Sequence, residues 1–217
     1  QLHRRQRQMC IRDSLFILVD DLGWKDLSCY GSSFYETPNI DRLADMGFRF
    51  SQAYAAHPVC SPTRAAIMTG KHPTRLNITD WIPGQNPQNR KLLGPTDLHA
   101  LPLEEKTLAE ALRDQGYKTF FAGKWHLGTH AEDRWPLQRG FDRFYGCIAG
   151  STRFFSPDTD ERAGRGITSG NKPITEVQST TDQPYYTTDA FTDHAIRFIE
   201  EGGEDEPFFL YLAYTAP

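Results

Sequence analysis

Leu15-Phe16-Ile17-Leu18-Val19-Asp20-Asp21 is an unbroken apolar run that ends in two carboxylates. A short run with β-branched content and no alternation predicts a central strand buried on both faces. Acidic residues at its C-terminal end stand where open α/β sheets hold their ligands. Further apolar runs occur at 117–122 and 207–214, with helical spacing between them. Strands alternating with helices predict an α/β fold, a mainly parallel (mixed) sheet sandwiched by helices.

The intervening segments follow from the same rules. Thr37-Pro38-Asn39-Ile40-Asp41 opens a helix with Thr37 as cap and Pro38 in the first turn; Ile40, Leu43, Ala44 and Met46 follow at helical spacing before Gly47. Residues 48–54 read as a second strand, 103–115 as an amphipathic helix closed by Gly116, and 188–200 as a last helix. Residues 139–146 read as an aromatic turn, while 71–102 and 151–184 read as long loops. Cys60-Ser61-Pro62-Thr63-Arg64 starts a short helix that Gly70 stops, with Pro62 tolerated because first-turn N–H groups are unpaired.

Composition narrows the function. A net charge of −4 leaves no electrostatic footprint for nucleic acid. No run reaches the ~18 apolar residues of a membrane span. Cysteines at 10, 29, 60 and 147 show no metal-type spacing, and a disulfide among Cys29, Cys60 and Cys147 stays open. Residues 1–14 are Arg-rich and aperiodic, resemble a translated adapter, and are set apart as a non-native segment; 15–217 carry the fold.

Three groups fall at strand ends or adjoining turns. Asp20 and Asp21 offer hard oxygens suited to Ca²⁺ or Mg²⁺, or cap a turn. Cys60 lies at a helix mouth that favours anions, with Arg64 beside it, or is a buried structural thiol. Lys124 and His126 alternate along an extended segment, so both can face one way, Lys124 holding an anion and His126 moving a proton. Glycines 123 and 128 bracket them and shape a loop for ligand approach. A thiolate is a poor neighbour for a hard cation, so Cys60 in the same site works better as an oxygen nucleophile.

Cys-Ser-Pro-Thr-Arg followed by Ala-Ala-Ile-Met-Thr-Gly resembles the type I sulfatase sequence C-x-P-x-R-x-x-x-x-T-G. The run ending in Asp20-Asp21, Thr37-Pro38-Asn39-Ile40-Asp41-Arg42-Leu43-Ala44, Gly123-Lys124-Trp125-His126-Leu127-Gly128 and Arg139-Gly140-Phe141-Asp142-Arg143-Phe144-Tyr145-Gly146 match that family's pieces in order. The resemblance implies an alkaline-phosphatase-like fold, read here as the N-terminal part of a sulfatase catalytic domain truncated at its C-terminal side. It implies that a formylglycine-generating enzyme, a transient partner, converts Cys60 to formylglycine. One hydroxyl of the hydrate would attack sulfur, held by Arg64; Asp20, Asp21 and modified Cys60 would bind Ca²⁺ (or Mg²⁺). Lys124 would neutralise sulfate oxygens, His126 would deprotonate the second hydroxyl, and Ser151 would contact sulfate. The later Asp-Asn or Asp-His pair that would complete the metal shell is not found in the chain. The resemblance further implies a sulfated small molecule or oligosaccharide as substrate and export to the periplasm or beyond. A formylglycine-dependent phosphodiesterase or phosphonate monoester hydrolase, or an anion-binding chain without turnover, stays open.

Overall fold

Phe120 and Phe121 are neighbours in sequence and end in different cores, because successive side chains of a strand point to opposite faces. The computed structural model describes residues 13–84, 89–157, 166–174, 184–202 and 206–217. Its six strands are β1 (Ser14–Val19), β2 (Lys118–Lys124), β3 (Arg143–Cys147), β4 (Ile167–Ser169), β5 (Lys172–Pro173) and β6 (Phe208–Tyr214). They form one sheet in the order β1-β6-β2-β3-β4-β5. The first four in that order run parallel, and β4 and β5 continue antiparallel. This is the mainly parallel, mixed sheet that the alternation of strands and helices predicts.

Pleat parity divides the interior. Phe121, Phe144, Phe209, Tyr211 and Ala213 face one side, with Ala65 and Met68 of α2 (Cys60–Thr69) and Ala109 of α3 (Leu108–Arg113). Phe120, Ala122, Tyr145, Cys147, Leu210 and Leu212 face the other, under Phe191, Ala195 and Phe198 of α4 (Thr187–Gly202). Aromatic rings fill the first core: Phe121 lies 4.8 Å from Tyr211, 5.0 Å from Phe144 and 5.1 Å from Phe141.

The first strand forms as predicted but is not central. Among the described residues β1 pairs only with β6, and Leu15 and Ile17 are 52% and 48% exposed. Among the described residues the helices pack mainly on β2, β3 and β6. The first helix, α1 (Pro38–Met46), lies between Thr37 and Gly47, but Thr37 makes no side-chain cap hydrogen bond and the helix buries none of its residues. Residues 48–54 are not a strand: among the described residues they find no pairing partner, and Phe48 is 95% exposed. Within 103–115 the helix is only α3, because Thr107 caps it in a reciprocal box with Glu110 and fixes its start. Residues 139–146 are not all turn, since a short 3₁₀ helix ends at Gly140 and β3 begins at Arg143. The segment 151–184 holds the β4–β5 hairpin, and residues 158–165 and 175–183 of it lie outside the described residues. Of the segment 1–14, residues 1–12 lie outside the described residues; Ser14 opens β1, and the Asp13 carboxylate accepts the Phe208 N–H at 3.1 Å. Among the described residues Cys29, Cys60 and Cys147 form no disulfide.

Candidate active site

Parallel strands deliver their C-terminal ends to one edge, and here that edge carries Asp20 after β1, Lys124 ending β2 and Cys147 ending β3. Two glycines let the strands close there. A Cβ on Gly123 would overlap the Ala213 carbonyl of β6, and one on Gly146 would overlap the Gly123 carbonyl. Gly123 also has a φ of 123°, open to glycine and strained for other residues. Its role is strand packing rather than ligand approach.

Asp20, Arg64 and Lys124 meet at this edge from three distant segments. Arg64 Nη2 donates to Asp20 Oδ1 at 3.2 Å, and Lys124 Nζ donates to Asp20 Oδ2. Arg64 Nη1 also donates to the Lys124 carbonyl, so one guanidinium ties α2 to both strand ends. Arg64 is 1% and Lys124 3% exposed, so solvent screens these charges little. Burial alone would raise the Asp20 carboxyl, but Arg64 and Lys124 outweigh it and hold it below the usual carboxylate value. Two cations and one carboxylate leave an excess of one positive charge.

His126 is also buried, although it does not extend the strand: its φ is 58°, in the left-handed region. Trp125 turns into the first core beside Phe121 and Phe141. His126 Nε2 lies 2.6 Å from the Ile82 carbonyl, which can only accept, so Nε2 carries the proton. Nδ1 is buried and has no hydrogen-bond partner among the described residues. Burial, then the nearby Lys124 charge, pushes the imidazole pKa down to about 4, so it is neutral near pH 7. Ile82 is held in turn, its N–H donating to Ser61 Oγ at 3.0 Å. Gly150 closes on the ring: a Cβ there would come within 2.9 Å of Nδ1 and 2.5 Å of Nε2.

Cys60 is half-buried at the first position of α2, one turn before Arg64 and therefore on the same face. The loop leading to it is pinned: Thr63 Oγ1 donates to the His57 carbonyl at 2.5 Å and accepts the His57 N–H at 3.1 Å. Asp21 is exposed, with a φ of 61°, and does not join the ion-paired cluster. Ser151 is exposed beside Gly150 and bonds to none of these side chains. Sequence reasoning missed Ser61, Ile82, Gly150 and Tyr211. Tyr211 lies under Arg64; burial raises its hydroxyl pKa and the Arg64 charge opposes this.

Among the described residues no three Asp, Glu, His or Cys side chains gather to hold a metal ion. Asp20 and Asp21 have the hard-oxygen chemistry Ca²⁺ takes, but not the number, since Ca²⁺ uses about 6–8 oxygens. Both Asp20 oxygens already accept from cationic side chains. The pair fits one side of such a site.

Comparison with known proteins places this geometry. The chain is 31% identical over 205 residues to arylsulfatase J of Mus musculus, covering 93% of this chain and 32% of that protein. It superposes on the structure of Ps i-CgsB in complex with k-i-k-neocarrahexaose with a TM-score of 0.77 and 32% identity, covering 94% of this chain and 45% of the other. The structure of BT4656 in complex with its substrate D-glucosamine-2-N,6-O-disulfate gives a TM-score of 0.69 at 27% identity, covering 94% of this chain and 34% of that one. The chain thus spans about a third of the length of the curated relative, 32%. The fold is that of the alkaline-phosphatase-like sulfatases. The sulfatase family model matches residues 12–217, nearly the whole chain, and the chain belongs to the sulfatase family.

Proposed function

We propose that this chain carries the nucleophile side of a sulfuric ester hydrolase acting on sulfated carbohydrate. The observation that supports this best is Cys60 one helical turn from Arg64, whose guanidinium is buried against Asp20 and the Lys124 carbonyl. Asp20, Arg64 and Lys124 together carry one net positive charge, the sign that attracts a sulfate ester. Arg64 and Lys124 hold and neutralise the sulfate oxygens. His126, neutral with Nδ1 free, accepts a proton at that nitrogen. Ser151, exposed beside Gly150, is the further residue assigned to contact the sulfate.

Cys60, if oxidised to formylglycine by the generating enzyme, would supply a hydrated aldehyde: one hydroxyl would displace the ester alcohol from sulfur, and deprotonation of the second would let the carbon return to the aldehyde as it releases inorganic sulfate. Asp20 and Asp21 would hold one side of a Ca²⁺ ion, which supplies Lewis acidity at the nucleophile. The carbohydrate class rests on the sugars named for Ps i-CgsB and BT4656. Export to the periplasm or beyond follows the family; among the described residues no helix is long and apolar enough to cross a membrane.

The test is direct. After co-expression with a formylglycine-generating enzyme, the tryptic peptide of residues 50–64 should lose the thiol mass and gain an aldehyde that hydrazide reagents trap. Aryl sulfate turnover should vanish in Cys60→Ala. An unmodified Cys60 in a chain that still hydrolyses sulfate esters would overturn the reading, and a preference for aryl phosphate diesters would replace the substrate class.

A further inference from the structure

Ser61 lies one residue after Cys60 and is fully buried. Alanine would fit the same helical position with better propensity, so the hydroxyl needs a reason. The geometry supplies one: Ser61 Oγ accepts the Ile82 N–H at 3.0 Å, far from it in sequence. Ile82 is itself 3% exposed, with its side chain in the first core beside α2. Its carbonyl, on the other side of the same α-carbon, takes the Nε2 proton of His126 at 2.6 Å. Three anchors therefore fix one residue: its side chain in the core, its N–H on Ser61 and its carbonyl on the imidazole.

We propose that Ser61 is a positioning residue for His126, acting through Ile82 to decide which ring nitrogen is basic. This rests on the role given to His126 above. A carbonyl can only accept, so as long as Ile82 is held the proton stays on Nε2 and the lone pair stays on Nδ1. Gly150 packs against the ring and limits its rotation, which leaves the Ile82 carbonyl as the element that selects the tautomer. Releasing Ile82 frees the imidazole to protonate at either nitrogen. The residue next to the nucleophile thus aligns the base, and the two catalytic parts are set by one turn of α2.

The test reads the ring and not the turnover. In the full chain labelled with ¹⁵N-histidine, long-range proton–nitrogen spectra near neutral pH should show one tautomer for His126, protonated at Nε2; the signal is assigned by its loss in His126→Gln. Ser61→Thr should keep that tautomer, and Ser61→Ala should give averaged nitrogen shifts. The Ile82 amide should exchange at least about tenfold faster in Ser61→Ala, with the β2 amides unchanged. A Ser61→Ala chain that retains the single Nε2–H tautomer overturns the proposal. If Ser61→Ala does not fold, the wild-type Ile82 amide decides it, since exchange as fast as an open loop amide also overturns it. Absence of sulfate ester hydrolysis would sink the proposed function without touching the tautomer result, so the two failures are distinguishable.

Discussion

Acidification should destabilise the protein through His126 before it touches the carboxylates. In the unfolded chain the imidazole titrates at 6.5, whereas in the native site burial and the Lys124 charge bring it down to about 4. Between those values the unfolded state binds a proton that the native state refuses, so stability falls as pH falls. Above 6.5 both states are neutral and the effect vanishes. The full difference, 6.5 minus about 4 or about 2.5 pH units, corresponds to about 3 kcal/mol. At about pH 5 roughly 2 kcal/mol of it should already be lost. The assay is urea unfolding of the wild type and of His126→Gln across this range. Glutamine can still donate to the Ile82 carbonyl and does not titrate. His194, also pushed down to about 4 by burial and Arg197, contributes equally to both proteins and cancels in the difference. The wild-type stability should drop towards acid more steeply than that of the variant. Parallel pH profiles would show that His126 is not held neutral by its surroundings, and the charge reasoning for the site would fail with it.

Asp20→Asn leaves Arg64 and Lys124 buried with no counter-charge, and should cost about 3–5 kcal/mol in chemical denaturation. Adding Lys124→Met should recover part of that loss; no recovery would refute the pairing. Gly150→Ala places a methyl group within 2.9 Å of His126 Nδ1, and should cost about 1–3 kcal/mol and shift the His126 ring resonances. Thr107→Ala removes the cap of α3 and the donor to the buried Arg139 carbonyl, for a loss of about 1–2 kcal/mol by thermal unfolding. Thr107→Ser should restore most of it, and failure of serine to do so would count against the capping box.

Apolar runs announced β1, β2 and β6, and the Pro62–Gly70 pair announced α2, because these features are local. β3 was hidden by Gly146, which reads as a turn residue until the Gly123 carbonyl is seen to leave no room for a side chain. The start of α3 was legible in Thr107-Leu108-Ala109-Glu110, but the apolar spacing from Leu103 onward masked it. In residues 48–54 the sequence has strand character without a partner, and pairing is a tertiary property. The same limit governs the site. Asp20, Arg64 and Lys124 could be placed along one edge from topology alone, yet their ion pairs span 44 and 104 residues and leave no local pattern. Reading Lys124 and His126 as alternating along an extended strand failed because His126 takes a positive φ. Nothing near Ile82 signals that its two backbone groups join α2 to the imidazole.

The charge arrangement itself argues for an anion. Buried ion pairs are weak sources of stability, and well-packed apolar side chains of similar volume often serve as well or better. This cluster is less economical still, since one carboxylate faces two cations at the mouth of α2, whose dipole adds positive potential at the same place. An apolar core would not need such a surplus, but a site that receives a monoanionic ester does. The surplus has a second effect on His126. Burial is the main reason the imidazole stays neutral, and the cost of a third positive charge beside Lys124 and Arg64 adds to it, so the Nδ1 lone pair stays available. The positive charges that favour an anion here therefore add to burial in keeping the base unprotonated, and removing the Lys124 charge should raise the pH at which His126 takes up a proton.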